Sequence, residues 1–194
     1  MKNKTIIILD VLLAVAEVLL VFLSWVLSAT MTEGVRSMLT SEGLRWFMGQ
    51  FVYFTQTPVL IWLILLSMAY GCMHQGLFPS LVEGSWSRTG LFVSLATLAI
   101  YVVAILLLAL PPHAILLSAT GSLFPSPFSR AMVPIIAFGM ILVSLANAFA
   151  TRIFHSATDV FNSFAYGVSQ ASPFFLLYIL AIQFYESLCF VFGC

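Results

Sequence analysis

Apolar residues run through this chain in blocks of about twenty, set apart by short polar stretches. At about 1.5 Å per helical residue, such a block crosses the roughly 30 Å hydrocarbon core of a bilayer. Five blocks have that length: 6–27, 51–72, 90–110, 131–151 and 173–192. They predict an all-α polytopic integral membrane protein, a single transmembrane domain over 1–194 with interfacial amphipathic helices between its spans. Between the first two blocks the pattern turns periodic. Ser41 is placed to cap a helix start and Glu42 to sit favourably in its first turn. Leu44, Phe47, Met48 and Phe51 share one apolar face, Glu42 and Arg45 can pair on the polar side, and Trp46 and Tyr53 suit headgroup depth.

Prolines punctuate the rest. Pro58 falls in the first turns of the second block, where a bend is expected. Pro111-Pro112 ends the third block. Residues 113–130 read as an interfacial loop, with a re-entrant element as the alternative. Residues 152–172 read as an amphipathic connection, with Ile153, Val160, Phe161 and Phe164 against Arg152, His155, Asp159 and Asn162. The first block competes with a signal peptide. Asp10 and Glu17 interrupt it and it exceeds a signal core in length, so an uncleaved helix is expected.

The segment SEGLRWF, followed by an apolar span closing on G-x-x-x-x-G-L from Gly71 to Leu77, resembles the N-terminal region of the p-aminobenzoyl-glutamate transporter (AbgT) family. The resemblance covers about residues 35–77 and rests on Glu42, Gly43, Arg45 and Trp46 in order, as structural motif residues. It implies a membrane transporter, or a truncated relative, moving a small organic anion or drug-like solute with proton or sodium coupling. Members of that family are much longer, and the re-entrant hairpins that hold their substrate and cation have no counterpart motif here.

Composition narrows the class. The chain has 194 residues, 62% hydrophobic and 7% charged, too few charges to cover a water-facing domain. Net charge is zero without a basic patch, which excludes nucleic acid as the expected partner and leaves the lipid bilayer. Cys72, Cys189 and Cys194 lie in apolar surroundings and read as small core residues. His74, His113 and His155 lack metal spacing, and no cofactor is expected. Enzyme signatures such as G-x-S-x-G, H-E-x-x-H or a P-loop are absent, so an enzyme is not expected. With the N-terminus inside, Lys2, Lys4, Arg88 and Arg152 are cytoplasmic and Arg36, Arg45 and Arg130 outside, which favours a cytoplasmic N-terminus in a bacterial inner membrane.

Ionisable residues inside spans are expensive and mark function first. Glu17 lies halfway along the first block and Asp10 two turns before it on the same face, so both carboxylates line one track. Gln183 and Glu186 share a face of the last block, where Glu186 can meet Glu17, and Asn147 can join as a neutral ligand. These five residues are the candidate proton, cation or substrate site. The plain alternative is a set of structural contacts between spans. Five spans cannot make two equal inverted halves, so a transport unit needs a homo-oligomer or partner subunit for symmetry. The competing function is a non-transporting membrane subunit or scaffold that binds a partner membrane protein.

Overall fold

The computed structural model describes residues 2–30, 34–79, 88–109 and 127–193, and every described element is helical. In chain order these are α1 (Lys2–Ala29), α2 (Ser41–Thr55), α3 (Pro58–Cys72), α4 (Arg88–Ala109), α5 (Pro127–Ala150) and α6 (Ala157–Phe192), with α3 continuing as a π-helical turn over Met73–Leu77. Among the described residues five stretches are long and apolar enough to cross a membrane: Lys4–Ala29, Pro58–Leu77, Arg88–Ala109, Arg130–Ala150 and Ala157–Phe192. The chain is thus a helical membrane protein. Most of the expected connection at 113–130, where a loop and a re-entrant element compete, lies outside the described residues, as does Cys194.

Packing groups the chain into two compact units, Met1–Ile61 with Ala171–Cys194, and Trp62–Gln170. In the first unit α1 has two unlike sides. Val11, Leu12, Val18, Leu19 and Phe22 are exposed and suit lipid, whereas Asp10, Leu20 and Ser24 are buried on the opposite stripe. The segment after α1 is tied in by its backbone: Met38 N–H donates to Ser24 Oγ at 3.2 Å and Arg36 N–H to Val191 O at 3.0 Å. Gly43 then lies against Met38, because any Cβ there would enter the Met38 backbone. Trp46 stacks on Phe190 with ring centroids 4.4 Å apart. Gly43 and Trp46 of the SEGLRW box are therefore packing residues, while Glu42 and Arg45 are exposed and do not pair with each other.

Four local expectations are corrected. The helix cap is Thr40, one residue before Ser41, with its hydroxyl accepting Gly43 N–H at 3.2 Å. The helix that begins there runs on to Thr55 instead of giving way to a span at Phe51, and the chain breaks at Gln56 and Thr57. Pro58 opens α3 instead of bending a longer span, since its missing N–H is harmless in a first turn. The Thr57 hydroxyl at this break is hydrogen-bonded to the Tyr178 hydroxyl on α6. Finally, 157–172 is no separate connection. It is continuous with the last span through Pro173, giving a helix of 36 residues, about 54 Å long.

In the second unit small residues set the contacts. Lipid offers helices no hydrophobic incentive to associate, so close backbone approach must supply the attraction. On α3, Ser67 and Gly71 face Ser163 and Gly167 of α6, and a Cβ on either glycine would collide with backbone of the other helix. Cys72 Sγ lies 3.3 Å from Ser163 Oγ at this crossing. Farther along, Gly76 of the π turn rests on Ser144 and Ala148 of α5, with Ala69, Cys72, Ala137 and Ile141 buried nearby.

The turn between α5 and α6 is built from its own backbone. Ile153 N–H donates to Ala148 O at 2.8 Å and Arg152 N–H to Phe149 O at 3.2 Å, the Schellman pattern. On the other side Asp159 accepts the N–H groups of His155 at 2.9 Å and Ser156 at 3.0 Å, while Ser156 Oγ accepts from Thr158 N–H at 3.1 Å. His155 thus precedes the helix rather than sharing a helical face with Asp159, and the aspartate serves as a cap. Arg152 holds φ of 57°, the left-handed conformation usually given to glycine here. Arg152→Gly removes a strain of about 1–2 kcal/mol against a glycine entropy cost of about 0.5–1 kcal/mol. It should raise stability by up to about 1 kcal/mol, read from the unfolding midpoint in a mixed-detergent titration.

Candidate functional site

The first unit carries a polar stripe on a helix that is otherwise hydrocarbon. Asp10, Glu17 and Ser24 recur every seven residues on α1, so all three fall on its inward side between Leu13, Ala14, Leu20 and Val21. Ser24 is fully buried, donating to Val21 O at 2.8 Å while it accepts from Met38, and its role is structural. Asp10 and Glu17 are different. Asp10 is 4% exposed, and its Oδ1 has no hydrogen-bond partner. Glu17 is half-buried, and its Oε2 likewise has none.

The other oxygen of Glu17 is engaged. Ser187 on α6 donates its hydroxyl to Glu17 Oε1 at 2.6 Å, and Gln183 Nε2 donates to Ser187 Oγ at 3.3 Å from one turn earlier. An amide nitrogen can only donate, so Gln183 fills an acceptor position of the hydroxyl and leaves its proton for Glu17. The result is a one-way chain of three side chains ending on a carboxyl group. Ser187 is fully buried and Gln183 nearly so.

The expected site residues separate accordingly. Glu17 and Gln183 meet through Ser187, and Asp10 lies on the same stripe two turns away. Glu186, next to Ser187 in sequence, is half-buried and makes no hydrogen bond to Glu17; the contact expected of it is made by Ser187. Asn147 belongs to the second unit. It is buried there with its amide donating to Gly76 O at 3.0 Å and its Oδ1 accepting from Ser94 at 3.3 Å, so it clamps α5 to the π turn and to α4. Among the described residues no three His, Cys, Asp or Glu side chains gather as metal ligands. Sequence reasoning missed Ser187, although its i+4 spacing from Gln183 inside a span was a usable signal.

Set beside known protein families, curated proteins and solved structures, the chain matches none.

Proposed function

We propose that this chain is a small coupled membrane transporter in which the Asp10–Glu17 stripe of α1 carries the coupling proton. One observation carries the reading: each of these two carboxyl groups, within a membrane span, keeps a buried oxygen with no partner. Intramembrane carboxyls without a fixed partner are rare, and transport proteins use them to take up and release cations. A proton needs only one such oxygen, whereas sodium needs a shell of several oxygens, and the side-chain hydrogen bond of Glu17 among the described residues is the one from Ser187. The resemblance of residues 35–77 to AbgT transporters supports a small organic anion as the solute. In this reading the protein lies in a bacterial inner membrane with its N-terminus cytoplasmic, and self-association completes the transport unit.

The second reading, a subunit or scaffold, draws on the wide apolar sides of α1 and α4. Phe92, Ile100, Val103 and Leu107 of α4, for example, are all exposed, and a partner span would fit there as lipid does. The two readings separate in one experiment. The full chain, reconstituted in liposomes, is given labelled p-aminobenzoyl-glutamate under an imposed pH gradient, and its native mass is measured in mild detergent. Gradient-driven accumulation by a self-associated protein supports transport. No accumulation, together with a stoichiometric foreign membrane protein, overturns it in favour of the subunit.

A further inference from the structure

In the first unit α2 runs antiparallel to the end of α6. Trp46 stacks on Phe190, and the Thr57 hydroxyl just past α2 pairs with Tyr178, eleven residues of one stretch against twelve of the other. Gly43, Phe47 and Phe54 share this packed side with Trp46. The opposite side reads Glu42, Arg45, Gly49 and Val52 with Gln56 at the cap, all exposed, in steps of three, four, three and four residues. That is the spacing of a seam between two helices. Gly49 keeps the middle of the seam low, since a Cβ there would have nothing within 4 Å. Glu42 and Arg45 make no ion pair among the described residues.

The stretch from Tyr178 to Phe190 lies inside the long apolar helix α6, so the seam beside it borders the bilayer, whose acyl chains offer an arginine, a glutamate or an amide no partner. A second copy of the chain does. Two copies inserted in the same sense run parallel, and a two-fold axis sets one edge of each seam against the opposite edge of the other. At about 100° per residue, Glu42 and Tyr53 fall on one side of Gly49, and Arg45, Val52 and Gln56 on the other. Glu42 of each copy therefore faces Arg45 of the other, which makes two reciprocal ion pairs. Tyr53, 71% exposed, faces the other copy's groove of about 540 Å³, lined by Val52, Thr55, Gln56 and Ile61 among others. We propose that this face of α2 is the interface of a parallel homodimer, fastened by reciprocal Glu42–Arg45 pairs. The proposal rests on the self-association in the transport reading and not on its coupling proton.

The test uses the full chain, made in two versions with different tags, extracted in mild detergent and counted by native mass spectrometry. The wild type should be a dimer. Glu42→Arg and Arg45→Glu should each weaken it at least about tenfold, because each sets like charges against one another at both pairs. Mixing the two variants should restore a dimer containing one of each, in excess over either homodimer, which a variant that merely misfolds does not do. Gly49→Phe should also break the dimer, while its monomer folds because no part of its own chain is in the way. A dimer that both charge variants leave intact, or variants that do not prefer each other, overturns this interface and leaves the transport reading standing. A wild type that is monomeric, or that carries a foreign protein in place of a second copy, overturns the interface together with the self-association in that reading. A charge-sensitive dimer without any uptake supports the interface and tells against transport.

Discussion

Glu17→Gln is expected to abolish gradient-driven uptake while leaving the protein folded. The amide oxygen of glutamine can still accept the Ser187 hydroxyl that Glu17 Oε1 now accepts, so the contact between α1 and α6 persists. What disappears is the second oxygen, buried and unpartnered in the native protein, which becomes an amide nitrogen unable to take up and release a proton. Accumulation of labelled p-aminobenzoyl-glutamate should fall at least about tenfold, equivalent to about 1.4 kcal/mol of lost coupling. Thermal unfolding in detergent should shift little. Dicyclohexylcarbodiimide, which reaches carboxyl groups from the lipid phase and adds to their acid form, provides a readout independent of any solute. Wild type should be labelled on the peptide containing Glu17 and the variant should lose that adduct. A variant that transports as well as wild type would remove Glu17 from the mechanism.

The other large effect is structural. Gly167→Leu should disrupt the second unit by about 3 kcal/mol or more, because even the first atom of the new side chain runs into Ser67 O and the backbone of Gly71. Backbone cannot step aside as a flexible side chain would, so α3 and α6 must separate. Gly167→Ala should already be costly for the same reason. Gly49→Ala is the matched control: it is exposed, has no neighbour within 4 Å of the added methyl, and should be neutral or stabilising by about 0.5–1 kcal/mol in a helix interior. The fraction unfolded against denaturing detergent checks all three. Equal stability of Gly167→Leu and Gly49→Ala would refute the crossing as the unit's fastening.

What the sequence made legible follows from which signals are local. Spans announce themselves because the bilayer imposes length and apolarity on every residue in them. The seven-residue spacing of Asp10 and Glu17 needed only helical geometry. The break at Gln56–Thr57 was obscured because α2 stays apolar along one face up to its last turn, so hydropathy passes smoothly into α3 and Pro58 reads as an interior bend. The continuity of α6 was hidden by its polar first turns, where Asp159 and Asn162 mimic a loop. The role of Asn147 was hidden for another reason. A buried amide is equally suited to a cation or to a backbone carbonyl, and only packing reveals that Gly76 takes it. Serines such as Ser187 are common in spans, so the one that completes a hydrogen-bond chain does not stand out. The paired small residues at 67 and 71 and at 163 and 167 were in plain view, and their spacing is the strongest packing cue left unused.

The turn at residues 151–156 also bears on the order of assembly. Both helix ends it joins satisfy their terminal backbone groups with partners no more than six residues away in sequence. An unsatisfied polar group near the hydrocarbon region costs several kcal/mol, and a turn that waits for distant partners would carry that cost while the chain is being inserted. This one does not wait. The end of α5 and the start of α6 can enter the bilayer as a finished hairpin, and the closely spaced glycines of α3 and α6 then find each other as a docking step between preformed rods rather than as a condition of their formation.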